Sequence, residues 1–537
     1  MLLTRHMGRA AAVQQPVGAP KQLMEPHHPH QNKPHRARLP APTSFSSSPS
    51  SASPAVPGGT LSSSPLPLKR RPTTTKLARA SASASNPSSS SSDDGANMPL
   101  VLACVGVACA GAFAFGYHLG VVNGPLDAIA AELGFAGNAA MQGLVVSSTL
   151  AGAAAGSLGG GALADRLGRK GSFLLCALPM LVGPLLSAAA SSLEAMVAGR
   201  AIAGLAIGLS SALVPVYIAE VAPTAQRGTL GALNQLLICL GILAALLVNV
   251  ALDPAAQWRA MFALAAAPAV VLFLGMLALP ESPVFLARAG RADEAAAVAR
   301  RLWGPAGAAQ LPAPAAEGGK GGGGGGASAS LMSPQFRRGV LLGCALFVFQ
   351  QLSGINAIIY FSSSVFKEAG IRSGALASAA VGACNVAGTL VATAVIERAG
   401  RKQLMIASYL GMVASMAAMS AGFALPQLAA HAGTVALGGT LLYILAFAIG
   451  AGPVTGLIVP EINAAAVRGQ AVSAAMVTHW VANVLVGQNF LPCVDRFGVG
   501  AVYAFFGACS LLGAIFVAKA VPETRGKSFD QIQAELQ

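Results

Sequence analysis

Twelve long apolar runs, separated by short polar stretches, set the architecture of this 537-residue chain. They lie near 99–122, 138–162, 172–189, 195–221, 228–251, 258–279, 338–365, 374–396, 403–424, 433–460, 470–492 and 498–520. Most reach the ~20 residues a helix needs to cross the hydrocarbon of a bilayer. The pattern therefore predicts an all-α membrane protein of twelve transmembrane helices, with the lipid bilayer as its solvent. Residues 280–337 divide the runs six and six, leaving an N-terminal half over 98–279, a C-terminal half over 338–522 and a tail over 523–537. This central loop opens with a charged, Ala-rich helical pattern from Glu281 to Trp303. It continues through a Gly run, 318–326, that reads as a flexible linker.

The polar positions inside the runs carry the chemistry. Gln350-Gln351-Leu352-Ser353-Gly354-Ile355-Asn356-Ala357-Ile358-Ile359-Tyr360 puts three amides and a phenol into the seventh run. Polar groups in hydrocarbon are costly unless partnered and mark either a pathway or contacts that join helices. Amides both donate and accept hydrogen bonds and carry no charge, so they suit a neutral, hydroxyl-rich solute better than an ion. On an unbroken helix Gln351 and Asn356 stand about 140° apart. They converge on one ligand only if Gly354 lets the helix break, as discontinuous transporter helices do.

Charged positions repeat. Asp165-Arg166-Leu167-Gly168-Arg169-Lys170 follows the second run and Glu397-Arg398-Ala399-Gly400-Arg401-Lys402 the eighth. Glu220 precedes Arg227 by seven residues, and Glu461 precedes Arg468 by seven. Pro280-Glu281-Ser282-Pro283 ends the sixth run and Pro522-Glu523-Thr524 the twelfth. Three correspondences in the same order predict two six-helix halves related by a parallel repeat, with a site between them. The repeated acids and bases share one side. They can act as a network that pairs when that side closes and separates when it opens, or as ordinary flanking charge. With the termini and central loop on one side, that side holds 17 Lys/Arg and the other four (Arg259, Lys367, Arg372, Arg496). By the positive-inside rule both termini face the compartment of insertion.

Residues 1–97 differ from everything after them. They hold 11 Lys/Arg against three acids, 14 of the 33 prolines, five of the eight histidines and a serine field over 44–92. Such a segment cannot bury a core and is expected to be disordered. Basic, Ser-rich and acid-poor composition without an apolar signal core matches an organelle transit peptide, and the prolines favour a plastid over a mitochondrial address; a plain disordered tail is the alternative. As a transit peptide, the leader has plastid import machinery as its partner. It also supplies +8 of the chain's +14, so the basic balance is no sign of nucleic-acid binding. The eight cysteines lie almost entirely within apolar runs and form no metal or disulfide pattern. No cofactor, metal or catalytic motif is expected, and the chain reads as a non-enzyme.

Five motifs in order, Gly161-Ala-Leu-Ala-Asp-Arg-Leu-Gly-Arg-Lys170, Pro215-Val-Tyr-Ile-Ala-Glu220, Pro280-Glu-Ser-Pro283, Gln350-Gln-Leu-Ser-Gly-Ile-Asn356 and Pro522-Glu-Thr-Arg-Gly526, resemble the sugar porter branch of the major facilitator superfamily over 99–537. Phe115-Gly-Tyr-His-Leu-Gly-Val-Val-Asn-Gly124 and His479-Trp480 are similar to plastidic glucose translocators. The resemblance implies hexose, most of all glucose, transport across the plastid envelope by alternating access. It implies sugar-binding roles for Gln235, Gln350, Gln351, Asn356, Asn385 and, more weakly, Asn483, with Tyr360 and Trp480 at the gate. Where many sugar porters carry an acid this chain has Ala448, and where they carry a tryptophan it has Gly456. Proton-coupled relatives place an aspartate where His118 stands, near an arginine matched here by Arg200. A histidine cannot supply that negative charge, so a facilitator is expected, with proton–sugar symport as the alternative. A non-transporting sugar sensor is a further alternative, disfavoured by the short stretch after Pro522.

Overall fold

A computed structural model of the chain describes residues 95–305, 309, 311, 331–464, 467–527 and 529–536. The leader through residue 94 and the Gly run lie outside the described residues. Those described are all helix and connection. In chain order the helices are α1 Met98–Gly120, α2 Leu126–Glu132, α3 Ala139–Ala188, α4 Leu193–Val221, α5 Arg227–Ala251, α6 Pro254–Leu264, α7 Ala267–Ala278, α8 Pro283–Arg288 and α9 Ala292–Trp303. The second half holds α10 Arg337–Leu352, α11 Ile355–Glu368, α12 Gly374–Ala399, α13 Arg401–Ala424, α14 Ala432–Ile449, α15 Ala451–Ile462, α16 Arg468–Phe497, α17 Val499–Ala520 and α18 Phe529–Leu536.

Among the described residues, ten helical stretches are long and apolar enough to cross a membrane, against the twelve expected. The difference has two sources. The second and third runs, expected as separate helices, join through α3, whose 50 residues are interrupted only at Gly168 (φ 78°, ψ 174°). The eleventh run is α16, 30 residues long, whose Gln470, Thr478, His479, Asn483, Gln488 and Asn489 keep it outside the ten. Three other expected spans are realised as broken helices, at Ala265–Ala266, at Ser353–Gly354 and at Gly450 (φ −129°, ψ −81°). The helical pattern from Glu281 to Trp303 becomes α8 and α9.

Small residues let the helices approach. A Cβ on Gly152 or Gly156 of α3 would lie 2.1 Å from a backbone oxygen of α4, and one on Gly204 or Gly208 of α4 would collide with α3 in return. With lipid outside, close van der Waals approach of this kind is what joins membrane helices.

The sequence repeat reappears as a repeated three-dimensional joint. Gly168 and Gly400 (φ 86°) both take a left-handed φ that other residues adopt at a cost. Each turn leaves backbone N–H groups at the start of the next helical segment, where a carboxylate is favoured by both hydrogen bonding and the helix dipole. Glu281 accepts from the backbone N–H of Arg169 (3.0 Å) and Lys170 (3.1 Å); Glu523 accepts from Arg401 (2.9 Å) and Lys402 (3.1 Å). Burial alone pushes the Glu523 carboxyl up, but backbone N–H groups of Arg525, Arg401, Lys402 and Thr524 together hold it below the usual carboxylate range. The side chains pair in parallel. Arg169 meets Glu220 at 2.8 Å and Asp165 at 3.6 Å, and Arg401 meets Glu461 at 3.5 Å. Arg166, Arg227, Arg398 and Arg468 are exposed. Arg468 donates to the Asn463 carbonyl at 3.3 Å, and the Arg398 carbonyl accepts from Arg525 Nη1. The Glu397 side chain lies outside the described residues. The pairs that do form join helices within one half.

A cluster of polar contacts between the halves lies at the opposite end. The Asn123 side chain donates to the Ile359 carbonyl and to Ser362 Oγ (2.8 Å) and accepts from the Ser363 N–H (3.2 Å). Ser147 Oγ donates to Gln488 Oε1 at 2.6 Å, and Lys367 pairs with Asp127 at 3.4 Å, an exposed contact worth little by itself.

The break at Gly354 is specified twice, by φ 91° and by a Cβ position only 2.4 Å from Phe506. Gly354→Ala is expected to destabilise the protein by about 2–4 kcal/mol through left-handed strain and overpacking. Gly456→Ala, whose Cβ meets nothing within 4 Å, is expected to cost nothing measurable. Thermal unfolding of the purified variants in detergent separates the two, and equal midpoints would show that the break is not enforced by Gly354.

Candidate functional site

The α10–α11 break brings the amides together. Gln351 and Asn356 would point apart on a continuous helix, yet Asn356 Nδ2 donates to Gln351 Oε1 at 2.6 Å. Gln351 Nε2 in turn donates to Gln350 Oε1 (3.2 Å) and His479 Nδ1 (2.9 Å). Gln350 Nε2 is anchored on the Ala451 and Gly452 carbonyls, at 2.9 and 3.3 Å, just past the α14–α15 break. The first turn of one helical segment thus orients the amide carried by another. Because Gln351 donates to Nδ1, the His479 ring carries its proton on Nε2.

The chain of groups extends along α16. The Tyr360 hydroxyl donates to Asn483 Oδ1 at 3.3 Å. Trp480 is wholly buried, lying 5.0 Å from the His479 ring and 5.4 Å from Phe115 of α1. It is therefore an aromatic contact across the two halves. Tyr360 is fully buried against Phe361. Gln350, Gln351, Asn356 and, through His479, Trp480 accordingly form one connected group, with the Tyr360–Asn483 pair on the same helices α11 and α16. Gln235 and Asn385 belong to a second, on α5 and α12. Gln235 Nε2 lies 3.6 Å from Cys239 Sγ, which contacts Thr389 Oγ1 at 3.3 Å, and Thr389 donates to the Asn385 carbonyl at 2.9 Å. No hydrogen bond joins the two groups among the described residues.

His118 and Arg200, expected as neighbours, are neighbours. Arg200 Nη1 reaches the His118 carbonyl at 3.4 Å and Nε the Val145 carbonyl at 3.1 Å. Its guanidinium also lies 5.8 Å from the centre of the Phe262 ring. Of the two positions that depart from the sugar porter pattern, Ala448 is buried against Gly388 of α12, and Gly456 borders open space.

Several participants escaped sequence reasoning. His479 was visible only as half of a His-Trp pair. Cys239 and Thr389 looked like packing residues. Glu281 and Glu523 were seen to repeat, and the repeat itself signalled a role that only the folded joint reveals. Among the described residues, no group of three His, Cys, Asp or Glu is placed to hold a metal ion.

What the site offers is uncharged: amide donors and acceptors, an imidazole and a phenol on α10, α11 and α16, bordered by buried aromatic rings. Alternating neutral donors and acceptors match a polyol, whose hydroxyls both give and receive hydrogen bonds.

Comparisons with known proteins agree with this chemistry. The Sugar (and other) transporter family model matches residues 103–536. Plastidic glucose transporter 4 of Arabidopsis thaliana is 46% identical over 439 residues, spanning 81% of this chain and 80% of the relative. The solved inward-open conformation of the xylose transporter XylE from E. coli is similar with a TM-score of 0.69 and 28% identity, covering 81% of this chain and 100% of that one. The proton:xylose symporter XylE bound to 6-bromo-6-deoxy-D-glucose gives 0.65 at 28% identity, covering 82% and 100%. The motif resemblance is thereby borne out, and the chain belongs to the sugar transporter family, with the helical fold of the major facilitator superfamily.

Proposed function

We propose that this chain is a hexose transporter of the plastid envelope that moves glucose by alternating access as a facilitator. The observation that carries the reading is the amide pair Gln351–Asn356, closed across the Gly354 break at 2.6 Å. The relatives support the substrate and the address, since those named plastidic glucose transporters reach 46% and 44% identity. With α3 counted as two spans and α16 included, the transmembrane helices number twelve, six in each half. Residues 1–97 are the leader read by plastid import machinery, and 280–337 the loop between the halves.

In this reading Gln350, Gln351, Asn356, Asn483, Gln235 and Asn385 bind sugar, the first four from one half and its partner helices, Gln235 from the other. Tyr360 and Trp480 close over it. Ties at Asn123, Ser147 and Lys367 hold the far end shut, while the ion pairs near Gly168 and Gly400 remain within their own halves. That distribution fits a state open on the loop side, like the inward-open xylose transporter. Re-pairing of Asp165, Arg166, Arg169, Glu220 and Arg227 with Glu397, Arg398, Arg401, Glu461 and Arg468 closes that side in the opposite state. A change of state needs differential contacts of this kind.

Proton symport is the second reading, favoured by the symporter likeness. Against it stands His118 beside Arg200, in a position where no carboxylate can take up a proton. Labelled-glucose uptake into liposomes holding the purified protein distinguishes the two. The expected result is downhill flux without accumulation, unchanged by an imposed proton gradient. Uptake above the equilibrium concentration, abolished by His118→Gln, would make the protein a symporter.

Asn356→Ala and Gln351→Ala are each expected to weaken glucose affinity about 2- to 13-fold, one neutral hydrogen bond's worth, in protein that folds normally. Unchanged affinity would reduce the amides to joints between helices. For the address, residues 1–80 fused to a fluorescent reporter are expected to enter plastids; a cytosolic or mitochondrial reporter would overturn the localisation.

A further inference from the structure

Arg200 is 2% exposed, in the middle of an apolar helix, and among the described residues no carboxylate lies within ion-pair distance of it. Its Nε and Nη1 rest on backbone carbonyls. Of the acids at that end of the half, Glu132 is engaged by Trp258 and Arg259, Asp127 by Lys367 and Asp253 by the Ala255 N–H, and Glu194 stands six residues ahead of Arg200 in the first turn of α4. A buried charge without a counter-charge is strongly unfavourable. Carbonyl groups at the end of α1 offset only part of it.

Two further buried groups beside Arg200 lack partners. Both ring nitrogens of His118 are unpaired, as is the Thr149 hydroxyl. His118 is tied to Arg200 through its carbonyl. Thr149 lies one helical turn beyond Val145, whose carbonyl receives Arg200, and its backbone packs against Gly204, one turn beyond Arg200. A helical threonine ordinarily donates back to the carbonyl four residues earlier. Here that carbonyl, on Val145, already accepts from Arg200 Nε and Ser148 Oγ, which leaves the Thr149 hydroxyl to donate elsewhere. Three helices thus present a guanidinium without a counter-charge and two unpartnered groups, an imidazole and a hydroxyl, that can each donate a hydrogen bond.

We propose that Arg200, His118 and Thr149 form a binding site for a small monovalent anion, chloride being the physiological class, enclosed within the N-terminal half. The anion supplies the negative charge that no side chain provides, and the inference does not depend on the sugar reading. A ligand that binds only the folded protein raises its unfolding midpoint saturably. The test is therefore thermal unfolding of the purified full chain in detergent, titrated with sodium chloride or bromide against sodium gluconate at constant ionic strength. The expected result is a saturable rise of a few degrees with either halide and none with gluconate. Thr149→Val, nearly isosteric but without the donor, is expected to raise the half-saturating halide concentration about 3- to 10-fold. His118→Asp, which sets a carboxylate beside Arg200, is expected to abolish the halide response. If that variant does not fold, Thr149→Val decides alone. No saturable halide effect in the native chain, or an unaltered half-saturation in Thr149→Val, would overturn the site.

Discussion

Away from water, a polar group must find a partner within the protein, and that requirement organises this molecule from its backbone to its side chains. Helices satisfy their own N–H and C=O groups, which is why the apolar runs become helices at all. Where a helix breaks, the groups released become available to something else. A break also re-aims side chains: the one at Gly354 turns Gln351 and Asn356 toward each other, while the Ala451 and Gly452 carbonyls in the first turn of α15 hold Gln350. A straight helix could have carried the same residues without assembling them.

The same requirement explains which parts of the fold were legible in the sequence. The runs were visible because hydrocarbon demands length, and the halves because charged joints recur at Gly168 and Gly400, where a left-handed turn and a capping carboxylate are needed together. The amide stretch around Gly354 was visible because amides in an apolar run have few innocent explanations. Less legible was anything decided by partners distant in sequence. His479 takes Gln351 from 128 residues away, and Cys239 meets Thr389 across 150. Neither pairing has a local signature, since a histidine beside a tryptophan or a cysteine in an apolar run reads equally well as packing. Helix ends were misjudged for a local reason. Residues 163–171 look like a loop because they are charged, but a charged segment at the membrane surface remains helical on either side of one glycine.

The two groups of candidate residues sit differently on the halves: the second spans both, with Asn385 on α12 of the C-terminal half and Gln235 on α5 of the other. Gln350, Gln351, Asn356, Tyr360 and Asn483 all sit on the C-terminal half, the three amides hydrogen-bonded in one chain and Tyr360 to Asn483 in a separate pair. Gln235 sits on α5 of the other half, where its contact is to the sulfur four residues on. Sugar reaching both would join the halves through itself. An arrangement in which one half is preorganised and the other meets the ligand late gives the ligand different contacts in different states, and only such differential contact can shift a conformational equilibrium.

Placement of charge completes that logic. Strong, partly buried pairs such as Arg169–Glu220 at 2.8 Å lie inside one half in this state, where they hold the half rigid until the loop side closes. The contacts that tie the halves at the far end are neutral hydrogen bonds from Asn123 and Ser147, together with the exposed Asp127–Lys367 pair. Each is worth on the order of 1 kcal/mol or less, small enough to be broken and remade in a working cycle. Weak ties let the halves part at that end: had a buried ion pair spanned it instead, separating the pair would have left an uncompensated charge in a dry environment, costing about 3–5 kcal/mol and holding one state against the other.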